Sequence, residues 1–384
     1  MAYIPAPIPS DRSAADARPI NLALQGGGSH GAFTWGVLDA LLEDGRVEIE
    51  GISGTSAGAM NAVALAHGFA RAADQPGRDP REAAREALAS FWNGIVSMGA
   101  LSNSVSLVQR SPFEVLFGGM GGAGHGNSPT QQWADAMTAW WSNSVSPYQS
   151  NPFDINPLKQ FLEGQIDFDR LARYATPKVF VVATRVTTGK AEIFSGSRLT
   201  AAAVMASACL PTVFKAVEIE GDFFWDGGYS GNPAIHPLIY NCQSRDIVLV
   251  QINPIARDKL PTTAAEIMDR MNEITFNAGL IAEIRAIDFV KRLLAQGKLD
   301  ASHYKDVLMH RIDGGEVLEQ FSASSKSSTD GHLIHQLHEL GRSAGKAWLG
   351  KHYAALGVVD TVNLAKDYLD DMRVPVQQTH DPAG

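Results

Sequence analysis

A short serine motif is the part of this sequence whose spacing most directly suggests chemistry. Residues 54–58 read Gly-Thr-Ser-Ala-Gly, the G-x-S-x-G pattern of a serine on a sharp turn between a strand and a helix. Side chains at Gly54 and Gly58 would collide with the adjacent strand and helix, so the glycines permit a turn that lifts the Ser56 hydroxyl clear of the backbone. We therefore interpret Ser56 as a candidate nucleophile. Because the motif is common by chance, a serine that only caps a helix is the alternative.

The glycine-rich segment upstream admits two interpretations. It reads LALQGGGSHGAFTWGVL over residues 22–38. Gly26, Gly28 and Gly31 give G-x-G-x-x-G after an apolar run, which is the fingerprint of a dinucleotide-binding loop. Alternatively, backbone amides near Gly27 and Gly28 hold the oxyanion of an acyl-transfer reaction, where each donor supplies on the order of 3 kcal/mol in the transition state.

The strand after this segment helps to separate the two interpretations. A dinucleotide site requires an acidic residue about 20 positions further on, and Glu48 and Glu50 come close to meeting that requirement. The same strand leads directly into the turn that carries Ser56, which a cofactor site does not need. We therefore favour the oxyanion interpretation and keep the dinucleotide site as the alternative.

The elements predicted around these motifs explain how the motifs could meet. Residues 20–25 and 47–52 read as buried strands, and each leads into a helical pattern, over about 32–43 and 57–72. This alternation predicts a parallel sheet with crossover helices. The carboxyl ends of neighbouring parallel strands lie on one edge, which is where open α/β sheets bind ligands. We therefore expect the glycine run and Ser56 to share a site.

Asp226 is the candidate base for this nucleophile. It opens the segment DGGYSGNP directly after an apolar FFW, so it should lie at the end of a strand or in the following turn. A free aspartate has a pKa near 3.9 and is a poor base at neutral pH. Partial burial would raise that pKa and make proton transfer from a serine easier. An ordinary Asp-Gly turn is the alternative.

Histidines leave a second catalytic arrangement open. Several follow Asp226 in the chain, among them His236, His303, His310 and His335. A conventional α/β-hydrolase places Ser, Asp and His in that order, so composition alone does not exclude a triad. The serine motif here follows only the second strand, whereas that fold normally places several strands before it. We keep a Ser-His-Asp hydrolase as an alternative and interpret His236 as a loop residue or the start of a helix.

Four sequence blocks together resemble a known family. They are GGGSHGAFTWGVL, GTSAGAMNA, ASACLPTVF and DGGYSGNPAI, in this order within residues 22–235. The blocks and the lengths between them are similar to those of the patatin-like phospholipases. The combination is far more specific than any single block.

The resemblance implies a fold and a mechanism. The fold would be α/β, a three-layer α/β/α sandwich with a mostly parallel central sheet, extended by C-terminal helices. The reaction would be hydrolysis of lipid acyl esters, as in a phospholipase A, a lysophospholipase or an esterase. Ser56 would be the nucleophile and Asp226 the base of a Ser-Asp dyad, with an oxyanion hole from Gly26, Gly27 and Gly28. No metal or organic cofactor is implied, and an inactive lipid-binding or scaffold member of the same fold is the alternative.

The same resemblance assigns supporting positions around the dyad. These are His30, Gly31, Gly54, Gly58, Gly227 and Gly228. His30 departs from the family pattern, which commonly has arginine or lysine at this position. Because the position follows the oxyanion glycines, a weaker or pH-dependent charge there changes the expected electrostatics and the preference for a head group.

Composition shifts suggest how the chain is organised. We expect a disordered leader over residues 1–18, a catalytic domain over 19–255, a C-terminal helical region over 256–373 packed on that domain, and a flexible tail over 374–384. Residues 99–155 of the catalytic domain combine glycines with aromatic residues. We interpret them either as core or as a lid that makes transient contact with a membrane surface.

A long helix should begin near Thr263, because Glu266 completes a capping box with it. The apolar residues of its predicted buried face are Ile267, Met271, Ile274, Ala278, Ile281 and Ile284.

The overall composition limits the classes of partner. The hydrophobic share of 45% and the charged share of 19% are ordinary for a soluble globular protein, and the net charge of −9 argues against nucleic acid as a partner. Two cysteines, Cys209 and Cys242, imply no disulfide framework. The sequence lacks a signal-peptide pattern and an apolar run of about 18 residues, so we expect a cytoplasmic protein and leave peripheral membrane association open. The oligomeric state also stays open.

Overall fold

The computed structural model describes most of the chain. The described residues are 2–8, 17–104, 146–150, 156–174, 176–319, 321, 326 and 328–369. The predictions for residues 9–16 of the leader, for 105–145 and 151–155 of the insert and for the tail lie outside them. Near the start of the chain, the backbone N–H of Tyr3 donates to Asn93 Oδ1 at 3.0 Å, and the Tyr3 ring packs edge-on against Trp35. Residues 2–8 of the predicted leader therefore include a segment in contact with the core.

Strands and helices alternate along the first part of the chain. The strands are β1 (Arg18–Leu24), β2 (Val47–Thr55), β3 (Lys178–Arg185), β4 (Ala191–Phe194), β5 (Val217–Ile219), β6 (Asp222–Asp226), β7 (Asp246–Gln251) and β8 (Leu308–Asp313). The helices are α1 (Gly31–Asp44), α2 (Ala57–Ala73), α3 (Pro80–Ser104), α4 (Pro147–Ser150), α5 (Pro157–Gln165), α6 (Phe168–Arg173), α7 (Ala201–Ser207), α8 (His236–Asn241), α9 (Ala264–Ala295), α10 (Gly315–Glu319), α11 (Gly331–His352) and α12 (Leu364–Tyr368). Short 3₁₀ turns cover Gly28–His30, Gly196–Arg198, Gly227–Tyr229 and Tyr353–Ala355.

The described strands form one eight-stranded sheet in the order β5-β6-β3-β2-β1-β7-β8, with β4 also paired to β3. The run from β3 through β2, β1 and β7 to β8 is parallel, whereas β4, β5 and β6 pair antiparallel. The predicted α/β class with a mostly parallel sheet is confirmed. The antiparallel strands lie at the β3 side of the sheet, beside the strand that follows the serine motif.

Helices cover both faces of the sheet, so the protein has three layers. Ile20, Leu22 and Leu24 of β1 point into a core shared with α1, α2, α3 and α11. Ala23, between two of them, points to the opposite face, where α8, α9 and α12 pack. Successive strand residues alternate between faces, and a strand buried on both sides is therefore apolar throughout.

The strand register brings the motifs to one edge of the sheet. Ala23 pairs with Ser53 and Leu24 with Gly54, so the residues that follow, the glycine run and Ser56, leave the sheet side by side. On the other side of β2, β3 pairs Ala183 with Asp226, the last residue of β6.

The C-terminal region differs from the prediction in two ways. It is not only helical, because it contributes β8, which pairs in parallel with β7. The capping box of Thr263 and Glu266 is confirmed at the start of α9, but the predicted buried face is wrong in the first half of that helix. Ile267 is 44% exposed and Met271 56% exposed. The buried positions of α9 are Glu273, Asn277, Leu280, Ile284 and Ile287.

Within the described ranges, none of the helices combines the length and the apolar character needed to cross a bilayer.

Candidate active site

Ser56 occupies a strained turn between β2 and α2. Its backbone has φ 53° and ψ −120°, a left-handed conformation that a residue with a side chain rarely adopts. A Cβ atom at Gly54 would lie 2.5 Å from the carbonyl oxygen of Gly58, and one at Gly58 would lie 2.3 Å from that of Leu24. Both flanking positions therefore need glycine for the steric reason that the sequence predicted. The Ser56 side chain stays partly exposed at the edge of the sheet.

Asp226 lies beside this serine although β6 and β2 are separated by β3. The Ser56 side chain is close enough to the Asp226 carboxylate to favour its charged form. The N–H of Gly228 donates to Asp226 Oδ1 at 2.7 Å. Burial raises the pKa of Asp226 to about 7, and the hydrogen bond from Gly228 and the nearby Ser56 side chain oppose that shift only in part. A carboxylate with this pKa can accept a proton from a serine near neutral pH.

The backbone of Asp226 is fixed from two directions. Its N–H donates to the carbonyl oxygen of Cys209 at 2.8 Å, and its carbonyl oxygen accepts from Thr184 Oγ1 at 2.8 Å. The glycines that follow are needed for close packing. A Cβ at Gly227 would lie 2.2 Å from the Val182 carbonyl oxygen.

The glycine run approaches the nucleophile directly. A Cβ added to Gly26 would lie 2.8 Å from the Cβ of Ser56. The N–H of Gly26 donates to Asn232 Oδ1 at 2.6 Å, so this amide is already engaged. The amides of Gly27 and Gly28 donate to no acceptor in the described part of the protein. Gly28 has φ 59°, a backbone conformation that glycine adopts more easily than any residue with a side chain.

A buried group of amide side chains holds the run in place. Gln25 Oε1 accepts from the backbone N–H groups of Ile252 and Asn253 at 2.9 and 2.8 Å. Gln25 Nε2 donates at 3.2 Å to both the carbonyl oxygen of Asn232 and Oδ1 of Asn277. Residues from the ends of β1 and β7, from the loop after β6 and from α9 therefore meet at one point beneath the run.

His30 and Gly31 lead from the run into α1. His30 is 2% exposed, and burial lowers its pKa to about 3, with the nearby Lys326 and Arg257 acting in the same direction. It is therefore uncharged near neutral pH. A Cβ at Gly31 would lie 2.7 Å from Cβ of Ala57, so this glycine lets α1 start against α2.

Two further side chains at the site are absent from the sequence prediction. Ser207, fully buried at the end of α7, accepts a 2.8 Å hydrogen bond from the backbone N–H of Ser56. Lys326 Nζ donates to Asn253 Oδ1 at 2.9 Å, and a Cβ at Gly28 would lie 2.1 Å from the Lys326 carbonyl oxygen. Ser207 belongs to the ASACLPTVF block, which was a usable signal, whereas Lys326 belongs to no motif.

Comparison with known proteins identifies the family of this chain. The family model described as patatin-like phospholipase matches residues 22–239, more than half of the chain. The chain belongs to the patatin-like phospholipase family. No curated protein matches the sequence. Among solved structures, VipD from Legionella pneumophila is similar, with 16% identity over 88% of this chain and 67% of VipD, at a TM-score of 0.39.

Patatin-like phospholipases are lipid acyl hydrolases in general, which fits the partner class expected from the sequence. The matched span contains Ser56, Asp226, the glycine run and every supporting position named above.

The histidines considered for a triad have partners elsewhere. His236 Nδ1 lies 3.1 Å from Glu283 Oε1, and His310 Nε2 lies 2.9 Å from Asp246 Oδ1. His303 contacts Asp300, and the ring of His335 packs near Trp35. Among the described residues, no histidine hydrogen-bonds to Asp226.

The residues considered for other ligands are not arranged around this patatin-like site. Glu48 and Glu50 lie near the start of β2, whereas the glycine run packs against its end, beyond Thr55. Glu50 accepts hydrogen bonds from the N–H groups of Gln243 and Ser244. In the ranges that the structure describes, no group of three or more metal-ligating side chains is suited to a metal ion.

Proposed function

We propose that this protein is a serine acyl hydrolase that cleaves lipid acyl esters through a dyad of Ser56 and Asp226. The observation that carries the proposal is that the partly exposed Ser56 side chain lies beside the buried carboxylate of Asp226 and favours its charged form. The strained backbone of Ser56 is a second support, because such strain is typical of residues at functional sites.

In the first half of the reaction, Ser56 Oγ attacks the carbonyl carbon of the ester. Asp226 accepts the hydroxyl proton as the new bond forms, and the carbonyl π electrons move onto oxygen. When the tetrahedral intermediate collapses, the bond to the alcohol breaks and the alcohol oxygen takes the proton from Asp226. The acyl group stays on Ser56.

The negative oxygen of the intermediate needs fixed hydrogen-bond donors. The amides of Gly27 and Gly28 are the best candidates, since they follow Gly26, which packs against Ser56, and donate to none of the described acceptors. Gly26 is the third residue predicted for the oxyanion hole. Its N–H donates to Asn232 Oδ1, so its role is to let the glycine run pack closely against Ser56.

The second half repeats these roles with water. Asp226 takes a proton from a water molecule, whose oxygen attacks the acyl carbon. When this second intermediate collapses, the bond to Ser56 Oγ breaks, Ser56 Oγ takes the proton back from Asp226, and the carboxylic acid is released. No step requires a metal or an organic cofactor.

A fluorophosphonate probe tests the nucleophile. We expect the probe to label Ser56, as mapped by mass spectrometry. We also expect the protein to hydrolyse a series of p-nitrophenyl esters with acyl chains of increasing length. Ser53→Ala is the matched control, because Ser53 is a buried neighbour whose Oγ donates to the Ala234 carbonyl oxygen at 2.5 Å. The probe should still label Ser56 in the Ser53→Ala variant. A tag on any other residue would contradict the assignment, and undetectable turnover with intact binding of lipid vesicles would favour a lipid-binding member of the family.

A further inference from the structure

We infer that Lys326 is a positioning residue of the oxyanion hole, acting through Asn253 on the peptide that joins Gly26 to Gly27. The inference rests on the proposed function and adds a cation from the C-terminal region to that site.

A continuous chain of hydrogen bonds connects the Lys326 ammonium to the glycine run. Lys326 Nζ donates to Asn253 Oδ1 at 2.9 Å, and Asn253 Nδ2 donates to the carbonyl oxygen of Gly26 at 2.7 Å. Asn253 is 1% exposed, and Gln25 Oε1 accepts its backbone N–H at 2.8 Å. With both ends of its amide engaged, Asn253 has a fixed dipole aligned between the cation and the peptide.

The peptide that accepts this hydrogen bond is the one that carries the N–H of Gly27. It is trans, so its C=O and N–H point in opposite directions within one plane. Donation to the Gly26 oxygen fixes that plane and also polarises the peptide, which makes the Gly27 N–H a stronger donor. Because Gly26 is in contact with Ser56, the polarised peptide lies beside the proposed nucleophile.

The charge of Lys326 is only partly neutralised by its surroundings. Glu273 Oε1 is 3.9 Å from Lys326 Nζ, but this carboxylate is already paired with Arg257 at 2.6 Å and with Arg270 at 3.2 Å. Burial lowers the pKa of Lys326, whereas the carboxylates of Glu273 and Asp269 act in the opposite direction and favour the ammonium form. Glu273 is therefore shared among Lys326, Arg257 and Arg270, and the Lys326 side chain is 20% exposed. A partly buried cation is screened less than one in water.

Lys326 differs from His30 in two respects: its backbone packs against the glycine run, and it brings a positive charge that His30 lacks. Its carbonyl oxygen packs against Gly28 so closely that no side chain fits there. His30, which follows the run, is uncharged near neutral pH because its pKa is lowered to about 3. Positive charge near the run therefore comes from Lys326 and Arg257, which are the cations that act on His30.

The test compares Lys326→Met with Lys326→Arg in the full-length protein. For a p-nitrophenyl ester we expect Lys326→Met to lower kcat about 10-fold, a fraction of the loss caused by removing a whole oxyanion donor, with KM within about twofold of wild type. Lys326→Arg should recover most of that loss. Lys326→Gln, which keeps a neutral donor, replaces Lys326→Met if the methionine variant does not fold.

Two controls separate this effect from a general loss of structure. Lys305→Met removes another partly buried lysine, whose Nζ donates to the carbonyl oxygens of Ile239 and Cys242 on the other side of the protein, and it should leave kcat unchanged. In the background of Asn253→Ala, which breaks the chain of hydrogen bonds, Lys326→Met should cost less than about twofold in kcat.

A spectroscopic measurement reads the peptide without relying on turnover. In protein labelled with ¹⁵N and ¹³C′ at glycine, the spectrum can be reduced to the six amides that follow another glycine, those of residues 27, 28, 119, 122, 228 and 315, and the Gly27 amide is assigned among them. Its proton should move upfield in Lys326→Met and in Asn253→Ala but not in Lys305→Met. A kcat within twofold of wild type in Lys326→Met overturns the inference. If the wild-type protein hydrolyses no ester, the proposed function fails, and an unmoved Gly27 amide then overturns the inference separately.

Discussion

The backbone N–H of Ser56 donates a 2.8 Å hydrogen bond to the hydroxyl oxygen of Ser207, 151 residues further along the chain. Ser207 is the last residue of α7 and is fully buried. Ser56 needs such support because its φ of 53° is strained, and strain persists only where the surrounding structure holds it in place. The hydroxyl of Ser207 thus helps to hold the strained turn at Ser56.

Removal of the Ser207 hydroxyl should lower kcat while it has little effect on the free energy of unfolding. We expect Ser207→Ala to lower kcat about 10-fold, because the Ser56 N–H loses its acceptor and the turn can relax away from the productive geometry. Thermal unfolding should change little. Ser53→Ala, which deletes another buried serine hydroxyl near the site, is the control and should keep kcat within about twofold. Equal losses in the two variants would show that Ser207 has no special role.

Replacement of either residue of the proposed dyad should have a larger effect on catalysis. Ser56→Ala and Asp226→Ala should each lower kcat/KM by at least about 10³-fold, because either change removes a group that takes part in bond making or proton transfer. Circular dichroism and thermal unfolding should show that both variants are folded. Substantial activity in either variant would refute the dyad.

The pH dependence of the reaction follows from the environment of Asp226. Burial raises the pKa of Asp226 to about 7, and a general base must be deprotonated to act. We therefore expect kcat/KM for a neutral ester to rise about 10-fold per pH unit below that value and to level off above it. His30 does not titrate in this range, since its pKa is about 3. A flat profile between pH 5 and pH 9 would contradict the role of Asp226.

The same pKa predicts a stability effect of opposite sign to the activity effect. The folded-state pKa of Asp226, about 7, is above the value near 3.9 of an unfolded chain, so folding favours the protonated carboxyl. Its contribution is fully present below about pH 4 and is lost as pH rises through about 7. We expect Asp226→Asn, which cannot ionise, to raise Tm by about 3 °C at pH 8 and by less at pH 5.

Differential scanning calorimetry at the two pH values measures this difference. Asp258→Asn changes an exposed carboxylate in the loop before α9 and should show no pH-dependent gain. A Tm gain for Asp226→Asn that is the same at both pH values would contradict the argument.

The central part of the site could be predicted because it follows from local rules. The G-x-S-x-G turn requires small residues around Ser56, and parallel strands bring their carboxyl ends to one edge. Those two rules were enough to place the glycine run beside Ser56, as the pairing of Leu24 with Gly54 confirms.

The C-terminal part of the site could not be predicted in this way. Hydropathy favoured burial of Ile267 and Met271, whereas the structure buries Glu273 and Asn277, whose polar groups are satisfied by partners far away in the sequence. Lys326 lacks a motif for the same reason, since its role depends on a contact with Asn253 that no local pattern encodes. Burial of polar side chains depends on their partners, and single-residue hydropathy does not contain that information.

The packing of α11 onto α1 leads to the last prediction, which concerns Asp39. This fully buried carboxylate accepts from Arg85 Nε at 2.6 Å, from the Tyr3 hydroxyl at 2.8 Å and from Arg342. Asp39→Ala would leave the Arg85 guanidinium, which is 1% exposed, without its main counter-charge. Breaking a buried ion pair from one side costs about 3–5 kcal/mol, and we expect a loss of that size in the free energy of unfolding in urea.

Two comparisons test that explanation. Asp44→Ala changes a carboxylate that is 16% exposed and pairs with Arg46, which is 45% exposed, and should cost less than about 1 kcal/mol. The double replacement Asp39→Leu with Arg85→Met removes both charges and should recover much of the lost stability, because the remaining partner of Asp39, Arg342, still pairs with Glu43 at 2.7 Å. Ester hydrolysis by each folded variant should match wild type, since Asp39 packs among α1, α3 and α11 rather than at the edge that carries Ser56. A double variant no more stable than Asp39→Ala would show that the loss comes from packing and not from the buried charge.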